Sequence, residues 1–156
     1  FILELCPILF EDLSEIQQSC KNAHPQETAP FQLLHSMAHS LIDSAKQYSG
    51  YDKSTLMEYV FPADLSILFY VTSVQNYTSG GLLTLFRHHL YDWIADASEK
   101  NLVCLMDPIC SEESGACPSC LQIPRGCETF NEGLSRSFLV GGVINGGTVL
   151  STPFWS

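Results

Sequence analysis

The chain has 156 residues, 46% of them hydrophobic and 15% charged, which excludes an intrinsically disordered chain and is long enough for one domain with its own core. Seven Lys and Arg stand against 17 Asp and Glu, giving a net charge of -10. Such a chain is a poor solo binder of phosphate backbones, because that affinity comes from clustered cations. No run of eighteen or more apolar residues occurs, so a membrane span is not expected and the reading is cytoplasmic.

Residues 1–30 are short apolar runs broken by Pro7, Pro25 and Pro30. They suggest a strand near 1–5, a short helix near 11–20 and a polar loop over 22–28. The chain opens with Phe1 rather than Met and lacks the basic start of a signal peptide, so 1–30 reads as the N-terminal segment of a longer protein. Residues 31–156 read as one domain with an apolar C-terminal tail. Leu33, Leu34, Met37, Ala38, Leu41, Ile42 and Ala45 recur at helical spacing, which predicts a helix over 31–47 that stops before Gly50. A second short helix is expected over 53–60, capped by Asp52 and closed by Pro62. The continuous apolar run of 65–72 predicts a buried strand. A turn follows, and then a strongly amphipathic helix over 81–98 with Leu82, Leu85, Phe86, Leu90, Trp93, Ile94 and Ala97 on one face. A cysteine-rich loop fills 104–127, and a last helix is expected near 131–140. The glycine-rich tail suits a last strand or docking on another surface. The fold class expected is α/β, a short sheet packed by helices with a four-cysteine zinc loop.

Five of the seven cysteines lie between 104 and 127. Clustering with an odd total suits a metal site better than a secreted disulfide framework. The pattern is Cys104-x5-Cys110-x6-Cys117-x2-Cys120, with Cys127 following. The CPSC unit is a knuckle in which two thiolates can reach one tetrahedral ion. Zinc is the default for four thiolates, and its binding energy becomes folding energy for a loop with little core. An iron–sulfur cluster uses the same donors. A redox pair at Cys117 and Cys120 is a further reading, although that chemistry favours CxxC at a helix start after a strand.

Three segments then carry a resemblance: LLHSMAHSLI at 33–42, ILFYVTSVQNYTSGGLLTL at 67–85, and CLMDPICSEESGACPSCLQIPRGCETFNEGLSRSFLVGG at 104–142. Together they resemble the MrfA-like zinc-binding domain of DNA helicases, and in the third segment are closest to the DrmB proteins of the DISARM antiphage system. The resemblance covers about 33–142. It implies zinc held by Cys104, Cys110, Cys117 and Cys120, with Cys127 as an alternative ligand. It also implies a place in a helicase-containing assembly, without catalysis by this domain. The partner implied is a DrmA-like helicase subunit or a helicase domain of the same protein, with DNA engaged through the complex. The chain departs from that pattern in its glycine turn, which is only TSGG, so a nucleic-acid role for the turn is less well supported.

Other residues have two readings each. His35 and His39 share one helix face at a spacing that can bind zinc, but HSMAH lacks the adjacent glutamate of metalloproteases. The plainer reading, two hydrogen-bonded core histidines, is preferred. Ser79, Gly80 and Gly81 precede a helix and offer an anion site, or simply a cap and a close approach. Arg87, His88 and His89 form a small cationic spot. Arg125 and Arg136 flank the cysteine loop and are the better candidates for phosphate contact. Phe154 and Trp155 pack on a partner or on their own domain. The function expected is a zinc-binding accessory domain that supports DNA engagement by a helicase complex in antiphage defence or DNA repair. The rivals are a metal-dependent hydrolase using His35 and His39, a thiol redox protein, and a purely structural zinc module mediating protein contacts.

Overall fold

The computed structural model describes residues 2–4, 27–72, 80–144, 147–151 and 153–155. The helix expected near 11–20 lies outside the described residues. A three-residue strand, β1 (Ile2–Glu4), stands where a strand was expected.

The long helix α1 (Ala29–Ser49) is the axis of the fold. Thr28 caps its start by accepting from the Phe31 N–H, and Pro30 sits in the first turn, where the missing N–H costs nothing. Gly50 ends it at φ 74, a left-handed value that glycine adopts without penalty. Every residue from Pro30 to Ile42 is buried. A helix covered all round must have neighbours on several sides. Here they are the sheet, the helix that carries Trp93, and the cysteine loop.

Strand β2 (Leu56–Phe61) pairs antiparallel with β3 (Ser66–Val71), and β1 adds to the other edge of β3, so the order is β1-β3-β2. The helix expected over 53–60 is therefore absent. Asp52 makes a turn instead: its carboxylate accepts from the Ser54 N–H and its carbonyl from the Thr55 N–H. The chain then enters the ladder, opposite six residues of β3. Leu56 and Glu58 turn inward while Tyr59 turns out, the alternation of a half-buried strand. In β3, Ile67 and Phe69 face α1, and Phe69 meets the Trp93 ring edge-on at 5.8 Å.

The helix expected over 81–98 is two: α2 (Gly81–His88) and α3 (Leu90–Asn101). His89, at φ -130, opens the spiral between them. The jog aims both Leu85 and Trp93 into one core, with Phe86 against the Trp93 ring at 5.5 Å. A short α4 (Ile109–Glu112) lies within the cysteine loop. The helix expected near 131–140 shrinks to one turn, α5 (Ser137–Val140). Phe130, Asn131 and Gly133 all have left-handed backbone, which a right-handed helix does not admit. The tail forms a hairpin, β4 (Gly142–Ile144) with β5 (Thr148–Leu150). Phe154 and Trp155 are half-buried on the chain's own core, their N–H groups donating to Phe138 and Leu139 carbonyls. Among the described residues no helix is long and apolar enough to cross a membrane.

Candidate metal centre

Cys104, Cys110, Cys117 and Cys120 converge from four points of one loop, and their sulfurs all lie within 4.8 Å of one another. Cys104 Sγ is 3.9 Å from Cys110 and 3.4 Å from Cys117, and Cys120 is 3.7 Å from Cys117. Two thiolates bound to one zinc at tetrahedral angles stand about 3.8 Å apart. The spacing suits a shared ion, and all four are free thiols rather than disulfides. Backbone amides already point at the sulfurs: Met106 N–H at Cys104 and Cys117 N–H at Cys120. Such contacts orient thiolate ligands. Burial and the neighbouring thiols push Cys110 far up and Cys120 to about 11, while at Cys117 bonds from Cys104 and the Ser119 amide outweigh burial and lower it to about 7. Four crowded thiols do not all ionise by themselves. A shared cation lets them do so.

The loop is tied to the core through Arg136. This residue is buried, its Nε donating to the Asn101 carbonyl at 2.8 Å and its Nη1 pairing with Asp107. Asp107 in turn accepts from the Cys104 N–H at 3.1 Å. The phosphate contact expected of Arg136 does not fit these surroundings, since its guanidinium is spent inside the fold holding Cys104 in place. Arg136→Ala should lower stability by about 1–3 kcal/mol, because it leaves the buried Asn101 carbonyl without its donor, while exposed Asp107 regains water. Urea unfolding of the variant against wild type measures it. Arg125 is exposed beside the loop, Gly80 is exposed, and Ser79 lies outside the described residues. At Gly81 a Cβ would run into the Ser49 carbonyl and the Tyr51 ring, so this glycine serves close packing against the end of α1.

Cys127 does not join the four cysteines. It belongs to a second cluster with His35, His39 and Glu58, again with donor atoms within 4.8 Å of one another. His39 Nε2 is 3.1 Å from Glu58 Oε1, and His35 Nε2 is 3.2 Å from Cys127 Sγ. His39 Nδ1 meets the Leu121 carbonyl at 2.9 Å. Burial alone would favour neutral groups. The mutual hydrogen bonds outweigh it, lowering Glu58 to about 2 and Cys127 to about 5 and raising His39 to about 9. The histidines are buried with polar partners, and their donor atoms also converge with those of Glu58 and Cys127, so this geometry fits both readings of the pair made from the sequence. Glu58 was not singled out there, because a helix over 53–60 conceals its inward-facing position.

The knuckle Cys117–Cys120 sits in a turn and opens no helix, which removes the arrangement the redox reading wanted. Fold and site together define a small α/β domain with four cysteines gathered in one loop, two of them buried and two half-buried. No protein-family model matches the chain. It is 33% identical over 122 aligned residues to the DISARM protein DrmB of Bacillus paralicheniformis, an alignment that takes in 69% of this chain and 22% of DrmB. This supports a DrmB-like relationship, and the chain spans about a fifth of that relative's length.

Proposed function

We propose that the chain is a zinc-binding accessory domain of a helicase-associated protein, acting in a cytoplasmic DISARM-like antiphage assembly or in DNA repair. The observation that carries this is the four-cysteine cluster, in a chain similar to DrmB. Cys104, Cys110, Cys117 and Cys120 would hold the ion, and the ion supplies rigidity: it fixes a loop that has few apolar contacts of its own. Four protein thiolates leave no open position for a water, so the site supports structure rather than hydrolysis. In this reading residues 1–30 lead in from the rest of a longer protein, and 31–156 form the zinc-binding unit. The partner is a DrmA-like helicase subunit or a helicase domain of the same protein, and DNA is met through that complex. Among the described residues, Gly80 and Arg125 of the sequence candidates are exposed and could touch a phosphate, as could the cationic spot at Arg87 and His88.

A closely related reading is a zinc module that only mediates protein contacts. Leu102, Val103, Leu105, Met106 and Ile109 are exposed apolar residues on or beside the cysteine loop, and with the net charge of -10 they favour a protein surface over a phosphate backbone. Purified chain mixed with the DrmA-like helicase separates the two. The helicase reading expects co-elution, no DNA binding by the chain alone, and tighter DNA binding by the mixture than by the helicase alone. Co-elution with unchanged DNA affinity supports the contact-only module. Absence of co-elution overturns the helicase reading.

A further inference from the structure

We propose that His35, His39, Glu58 and Cys127 form a second metal centre, separate from the four cysteines, that takes a zinc-type divalent ion. The four donors come from α1, from β2 and from the loop after Leu121, regions that sequence distance alone would not unite. The His39–Glu58, His35–Cys127 and His35–Glu58 atom pairs stand 3.1, 3.2 and 3.6 Å apart. Ligands around one tetrahedral zinc sit about 3.4 Å apart for nitrogen with oxygen and about 3.6 Å apart for nitrogen with sulfur. The observed separations match within a few tenths of an ångström. Mixed nitrogen, sulfur and carboxylate donors select zinc-type ions over magnesium or calcium.

The bonds around His39 and Cys127 are those a metal site requires. The Nδ1–H of His39 donates to the Leu121 carbonyl, which leaves the Nε2 lone pair aimed at the cluster. Cys127 Sγ accepts from the Asn131 N–H at 3.1 Å, as a ligating thiolate does. Asn131 is itself pinned by two bonds to the Ile123 backbone. Hydrogen bonding alone explains the cluster less well. Among the described residues it leaves Glu58 Oε2 as a buried polar atom without a partner. Such an atom is costly to bury. An ion can share the second carboxylate oxygen. Charge balance points the same way: a divalent cation with one carboxylate, one thiolate and two neutral imidazoles sums to zero, the cheapest state for a buried group. His35 and Glu58 also line a cavity of about 490 Å³, which gives an ion a route in. Bound there, it would clamp α1 to β2 and to the loop after the knuckle, leaving the cysteine site untouched.

The test is zinc content of the purified chain with X-ray absorption of its first coordination shell, in wild type and in Cys127→Ser. The proposal expects two zinc ions in wild type, sharing five sulfur and three nitrogen or oxygen donors. Cys127→Ser should lose one ion and keep a shell of four sulfurs. If that variant does not fold, the wild-type shell still decides. One zinc with four sulfurs overturns the second centre and leaves the cysteine site standing. One zinc with a mixed shell does the reverse. No zinc overturns both.

Discussion

If the four cysteines hold zinc as proposed, Cys117→Ser is expected to lose that ion and, with it, cooperative folding of the loop from 104 to 127. The reason is the size of the terms. A structural zinc contributes on the order of 10 kcal/mol to the state that holds it, while a whole domain is stable by about 5–15 kcal/mol. Little else can replace that contribution. Leu105 is 87% exposed and Ile109 51%, so much of the loop's apolar surface points outward rather than into a core of its own. Only Cys104, Cys110, Leu121 and Ile123 are buried along it. The measurement is thermal unfolding with and without a chelator: treated wild type should fall to the level of the treated variant, and the untreated variant should already lie below untreated wild type. The variant should respond less than wild type, and only through the second centre.

Trp93→Ala should cost about 3–5 kcal/mol, among the largest effects of any single truncation in this fold. The indole is 1% exposed and lies where three elements meet. Its ring contacts Phe69 of β3 and Phe86 of α2, and its Nε1–H donates to the Leu41 carbonyl of α1 at 2.8 Å. Alanine leaves a cavity between sheet and helices and removes that bond. For a chain of this length the loss should lower the melting temperature by about 6–20 °C. Calorimetry reads it directly. Because Trp93 lies outside both donor clusters, metal content per folded chain should not change, which separates this effect from that of Cys117→Ser.

How much of this was legible in the sequence differs from place to place. The central helix was, since its apolar spacing and Gly50 after it agree, although its start at Ala29, capped by Thr28, lies two residues before the expected one. The four-cysteine cluster was legible too, because CPSC brings two ligands together by chain geometry. Strand β2 was hidden. Residues 53–60 contain both strand and helix formers, and what decided was pairing with β3, a non-local contact that no local pattern reveals. That error also hid Glu58, whose inward direction follows only from strand alternation. The break at His89 was hidden for the same reason: the apolar stripe continues through it, and packing of Trp93 against Phe69 sets the bend. Arg136 looked like a surface cation beside the metal loop. Its burial depends on Asn101 and Asp107, far from it in sequence and brought near by folding. Cys127 was grouped with its neighbours in sequence, yet the turn at Phe130 and Asn131 sends it to the histidines instead.

The most direct test of the account is cadmium-113 NMR of the chain refolded with cadmium, since the resonance position reports how many thiolates hold the ion. The account predicts a resonance in the all-thiolate range that disappears in Cys117→Ser. A chain that shows no such resonance, with Cys117 and Cys120 recovered as a disulfide, would contradict it.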